Sequence, residues 1–188
     1  MSQILDGWSK EDPPITKKLL VGIDITEFLA QLGRDKDATE LVKAVGDLTL
    51  IAFYYFLGVG EYTINGSRNN TKQIVHFKLE YAIFPHKDKQ GHLRLFPINT
   101  TGDEIIIADG AILKFDNHKN YWKGVCVFKD HNEDEEFSLV RALGRRRISI
   151  CNQTINRKTF LLDFWVDGKQ RYVTAENISS SLNSQPGN

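Results

Sequence analysis

The chain has 188 residues, 24 Lys plus Arg against 24 Asp plus Glu, and 41% hydrophobic residues. That length supports one domain with a real core, and the balanced charge excludes a protein driven onto nucleic acid by net charge alone. No apolar run approaches the ~18 residues of a membrane span, and Asp6, Lys10, Glu11 and Asp12 interrupt any leader-like stretch at the N-terminus.

In chain order, residues 1–22 read as an irregular arm, residues 23–184 as one folded unit and residues 185–188 as a tail. Ile25 to Leu32 has the pattern of a short helix, with Thr26 available as a cap and Gly33 as a stop. A longer helix is expected through about 38–57, where Leu41, Val45, Leu48, Ala52 and Tyr55 recur at the spacing of a buried face. Asp37 with Glu40 makes a capping pair for it, and Gly46 inside it marks close packing or a break. The helix runs into Gly58-Val-Gly-Glu61, and turn residues follow at 65–70.

Strands are expected from there on. Ile74 to Phe84 ends in one, Leu93 to Phe96 forms another after a polar turn at 87–91, and Asp109-Gly110 is a hairpin signal. Ala111 to Phe115 and Val125 to Phe128 read as a strand pair joined by residues 116–124, DNHKNYWKG. Leu139 to Cys151 reads as a helix with arginines between its apolar residues. Phe160 to Val166 and Arg171 to Val173 pair across a tight Asp167-Gly168 turn, and Thr174 caps a last helix through Leu182. The fold class is α+β, mainly helical with a small antiparallel sheet.

The local charge is less even than the total. From Phe137 to Leu162 there is no acid, yet Arg141, Arg145, Arg146, Arg147, Arg157 and Lys158 lie there. An acidic run, Asp130 and Glu133 to Glu136, precedes it. The arginine helix can lie along a phosphate backbone, positioning a duplex without reading bases; the plain alternative is a solvated helix beside a solvated loop. Lys119 and Lys123, beside Tyr121 and Trp122 in the 116–124 link, can enter a groove or protonate a leaving oxygen in phosphoryl transfer.

Other chemistries find no support. The five histidines never take zinc-like spacing with Cys126 or Cys151, so no metal is expected, and those cysteines read as buried free thiols in a reducing compartment, with a disulfide between them as the alternative. No phosphate-cradling glycine motif and no nucleophile elbow is present, so no cofactor is expected.

Four segments in order, GDLTLIAFYYFLGVGEYT (46–63), ILKFDNHKNYWKGVCV (112–127), SLVRALGRRR (138–147) and FWVDGKQRYVTAENISSSL (164–182), carry a family resemblance. Together they resemble the first half of the catalytic domain of tyrosine recombinases of the phage-integrase type, in the divergent form carried by mobile elements of oomycetes and other eukaryotes. The resemblance implies a duplex-DNA-binding domain for recombination and integration, acting intracellularly, and in the nucleus of a eukaryote, with other recombinase protomers in the intact family form. In that family a tyrosine attacks the phosphodiester while two arginines, a lysine and histidine or tryptophan side chains stabilise the charge that develops. The family's first arginine lies three residues before its glutamate. The glutamate corresponds to Glu61, and the arginine position holds Gly58. The family lysine corresponds to Lys119, with Lys123 as the alternative register. No His-x-x-Arg occurs, and Tyr172 lies in the wrong place to be the nucleophile. The expectation is therefore a truncated, non-cleaving, DNA-binding fragment, with a non-enzymatic DNA- or protein-binding α+β domain as the alternative.

Overall fold

The structure is a computed structural model and describes residues 22–64, 76–97, 100, 102–116, 124–132, 134, 136–154 and 156–183. The first helix, α1, covers Ile23–Leu32. Gly22 stands at its N-cap, and the Thr26 hydroxyl donates inward to the Gly22 carbonyl at 3.1 Å, so Thr26 does not cap. The long helix, α2, covers Glu40–Tyr55. Its cap is Thr39, whose side chain accepts from the Val42 N–H at 3.3 Å, while Glu40 pairs with Lys43 at 2.9 Å. Asp37 is thus displaced from the capping role expected of it.

Gly46 marks close packing. A Cβ there would meet the Leu29 carbonyl oxygen at 2.6 Å, so α2 crosses α1 with nothing between the backbones. Helix propensity favours alanine over glycine by up to ~1 kcal/mol, yet the neighbour here is backbone and cannot swing aside. Gly46→Ala is expected to destabilise the protein by about 1–3 kcal/mol, an overpacking cost. Chemical denaturation checks it, and an alanine variant as stable as the parent would show that the two helices are free to separate.

Phe56 ends α2 in the left-handed region (φ 54°), and Gly58 opens a four-residue helical turn, α3, over Val59–Tyr62. A 3-10 turn, Leu79–Tyr81, leads into β1, Ala82–Ile83. Strands β2 (Pro85–Lys87) and β3 (Leu93–Leu95) form their own antiparallel hairpin. A short helix absent from the sequence reading, α4, covers Gly102–Ile106.

β4 (Gly110–Phe115) and β5 (Val125–Asp130) pair antiparallel in full register, and β1 adds to β4, giving a sheet in the order β1-β4-β5. Asp109-Gly110 is not a hairpin turn. Gly110 begins β4, where a Cβ would meet the Phe128 ring at 2.4 Å and the Lys129 carbonyl at 2.5 Å. The Asp109 carboxylate accepts from the Lys87 N–H at 2.5 Å, tying the small hairpin to the sheet.

Helix α5 covers Leu139–Cys151, capped by Ser138. β6 (Asp163–Val166) and β7 (Lys169–Tyr172) form a hairpin whose turn places Asp167 and Gly168 at φ 51° and 71°, as a primed turn requires. Helix α6 covers Ala175–Asn183, with the Thr174 hydroxyl accepting from the Asn177 N–H at 3.2 Å.

The core lies between α2, α5 and the inner face of the sheet. Leu48, Leu50, Ile51, Leu79, Phe84, Leu113, Val140 and Leu143 are buried there, and Phe115 meets Tyr55 and Phe77 edge to face. The Tyr55 hydroxyl donates to the Ala111 carbonyl at 3.1 Å, joining helix to sheet. Among the described residues every strand ladder is antiparallel, so the architecture is a mixed α+β fold with a small open sheet. The apolar residues of α6 turn inward: Ile178 is buried and Leu182 packs on the core.

Candidate nucleic-acid interface

The Gly58 position sits between two helices. The chain leaves α2 through left-handed Phe56, and Gly58 takes an extended conformation (φ −74°, ψ 151°) as N-cap of α3. The Glu61 carboxylate accepts from the Gly58 N–H at 2.6 Å. This is half of a capping box, and it satisfies one orphan donor of the turn. The space beside Gly58 is open: an added Cβ would meet only Glu61 Oε2, at an ordinary 3.6 Å. A long side chain therefore fits there, next to a carboxylate. Behind the turn, Tyr62 is buried, which pushes its phenol up to about 12. His76 bonds the Glu61 backbone and stacks edge-on against Phe160, and its burial lowers its pKa below the usual histidine range.

Lys119 and Lys123 lie outside the described residues, so their register and reach are not placed. The strands that carry them are. Phe115 pairs with Val125 at the end of β4 and β5 that the 116–124 link joins in sequence. At its base the Tyr81 hydroxyl donates to Asp116 at 2.5 Å, and the Lys78 and Lys114 ammonium groups sit 5.2 and 5.9 Å from the Tyr81 ring centre.

The arginine helix corrects the expectation of a phosphate-facing row. Arg146 is 2% exposed: its Nε donates to the Leu161 carbonyl at 3.0 Å and its Nη2 to the Asp163 carbonyl. Arg147 is equally buried, donates to the Pro97 carbonyl and lies over the Phe84 ring. Burial lowers the pKa of both. Arg145 forks onto Asp47 of α2, with Nε at 2.9 Å and Nη2 at 2.6 Å from Oδ1. Burial pushes the Asp47 carboxyl above its ordinary range, and Arg145 pulls it back. Arg141 is half-buried at the start of the same helix. The run 145–147 thus binds α5 to α2, to β6 and to the segment after β3.

Asp134 and Glu136 of the acidic run are exposed. Asp134 accepts from the Glu136 and Phe137 N–H groups at 2.8 and 2.9 Å, shaping the approach to α5. The Tyr54 hydroxyl donates to the Phe137 carbonyl at 2.9 Å and accepts from Asn132, which latches that loop to α2.

Cys126 is exposed on β5 and Cys151 is half-buried, neither in a disulfide, so the expected burial fails for Cys126. Among the described residues no cluster of His, Cys, Asp or Glu could hold a metal, and no helix is long and apolar enough to cross a membrane. Sequence reasoning overlooked Asp47 and Asp163. An acid inside the apolar run of α2 was a usable signal for the first; nothing local marked the second. No family model matches the chain, and neither a curated protein nor a solved structure is significantly similar to it.

Proposed function

We propose that the chain is a recombinase-derived DNA-binding domain that, as it stands, holds duplex DNA without cutting it. The observation that carries this reading is the Gly58–Glu61 turn. It follows the long helix directly, leaves open room for a side chain at Gly58, and places the Glu61 carboxylate beside that room. An arginine held there would be oriented for a phosphate, the arrangement that the resemblance implies for the family's first arginine. Two further features agree with it. A small antiparallel sheet follows the turn, and its last strand pair carries Lys119 or Lys123 in the connecting link. With glycine in the arginine position and no His-x-x-Arg in the sequence, the groups that would stabilise a cleavage transition state are missing, and the reading calls on Lys119 and Lys123 for its phosphate contacts.

The test is a titration of the full chain with a short duplex across a range of salt. Binding should weaken steeply as salt rises, since each neutralised phosphate releases counterions. No covalent adduct should form on a suicide substrate. Gly58→Arg should leave stability unchanged and tighten duplex binding by about fivefold, the worth of one charge-assisted contact of ~1 kcal/mol, still without adduct. Absent or salt-independent binding would sink the reading, and an adduct from the unaltered chain would overturn its non-cleaving part.

A further inference from the structure

A cleft of about 260 Å³ opens where the outward face of the β6–β7 hairpin meets Thr154, Asn156 and residues 158–160. Its sides are three half-buried aromatic residues, Phe160, Trp165 and Tyr172. The hairpin register sets Asp163 opposite Tyr172 and Trp165 opposite Gln170, so these four share the face that lines the cleft.

Asp163 lies at the inner wall with no exposed surface. Its Oδ2 accepts from the Phe160 N–H at 3.1 Å and from Gln170 Nε2 at 2.7 Å, while its Oδ1 has no donor. Burial pushes this carboxyl up to about 6, and its Oδ1 is a buried oxygen short of one hydrogen-bond partner.

The rim is cationic. Lys158 lines the cleft and is exposed, as is Arg157 beside it. The chain at 78–80 runs alongside: Lys78 bridges to Phe160, and the Glu80 N–H donates to the Arg157 carbonyl at 3.1 Å. The Lys78 ammonium turns away from the cleft, to Glu80 at 3.9 Å and to the Tyr81 ring.

These three features select one ligand chemistry. Half-buried rings offer stacking faces, the unmatched Asp163 oxygen asks for an N–H donor, and the rim asks for negative charge. A simple anion would leave the Asp163 oxygen without a donor, and an organic cation would be repelled by the rim. A planar base carrying N–H groups and joined to a phosphate satisfies all three.

We propose that this cleft takes one unstacked nucleotide of a single-stranded DNA segment, its base against Trp165 and Tyr172 with an N–H on Asp163, and its phosphates on Lys158 and Arg157. This deepens the DNA-binding reading and rests on it for the source of the strand.

The test titrates the full chain with an oligodeoxyadenylate strand and, separately, with a blunt duplex, reading anisotropy and tryptophan fluorescence. The strand should bind and quench tryptophan emission. Trp165→Leu should weaken strand binding about tenfold, within the range one stacked base carries. Lys158→Ala, at an exposed position where folding is not at stake, should reduce the salt slope by about one. Unchanged strand affinity in a folded Trp165→Leu protein would overturn the proposal, as would an unchanged slope in Lys158→Ala. Duplex binding without strand binding would remove the cleft proposal and leave the duplex reading standing. Strand binding without duplex binding would do the reverse, and no binding by either would remove both.

Discussion

Arg146→Ala should cost about 3–5 kcal/mol of unfolding free energy, the range for breaking a buried charged network, and lower the thermal midpoint by on the order of 10 °C in a domain of this size. The guanidinium is enclosed where α5 faces the start of the last hairpin, and it supplies donors to both the Leu161 and Asp163 carbonyls. Removing it leaves two buried acceptors without donors and a void the size of a long side chain. Arg146→Met separates the two effects, because methionine refills the volume and restores no hydrogen bond. Alanine and methionine falling equally far would assign the loss to the hydrogen bonds. An alanine variant within about 0.5 kcal/mol of the parent, as for an ordinary surface change, would mean that the side chain is solvated and available to a ligand after all.

The second large effect is expected at Asp47→Ala, at about 2–4 kcal/mol. This is below the full cost of a broken buried pair because the Arg145 side chain keeps 37% of its surface exposed. Asp47 is the carboxylate that Arg145 grips, and Arg34 and Arg146 also lie within its field. Without it, Arg145 loses its ion-pair partner, and the repulsion between Arg34 and Arg145 loses the carboxylate that offsets it. Asp47→Asn keeps an acceptor and should lose less. Combining Asp47→Ala with Arg145→Met should recover part of the loss, and the double-mutant cycle measures the coupling directly. Strict additivity of the two changes would show that the pair contributes nothing to holding α2 against α5.

These two positions mark the boundary of what sequence could disclose. Helix α2 was legible because its apolar residues repeat with the helical period over four turns, and the Asp167-Gly168 turn because its backbone angles demand such residues. Both are set by neighbours within a few positions. Arg146 and Arg147 were not legible. Composition says that arginines in an acid-free stretch are solvated or bind phosphate. Their burial depends on the carbonyls of Leu161, Asp163 and Pro97, which only the tertiary fold brings near. Asp109-Gly110 misled in the opposite way. Its glycine answers to a crowded cross-strand contact with Phe128 and Lys129 rather than to a turn. The candidate site divides likewise. Gly58 and Glu61 follow from a motif and its spacing, whereas the cleft at Asp163 needs a hairpin face and a distant turn to meet.

The wide sequence separation of these contacts bears on how the protein is made. Arg145 reaches an aspartate 98 positions earlier, Lys78 bridges to Phe160, and Ile64 bridges to Thr174. A chain emerging from the ribosome therefore carries the apolar stripe of α2 long before α5 and the last hairpin exist to cover it. High contact order of this kind slows folding and prolongs the exposure of such surfaces. Chaperone engagement during synthesis should accordingly concentrate on the interval after residues 40–55 emerge and before residue 174 does, and slowing translation across that interval should raise aggregation rather than relieve it.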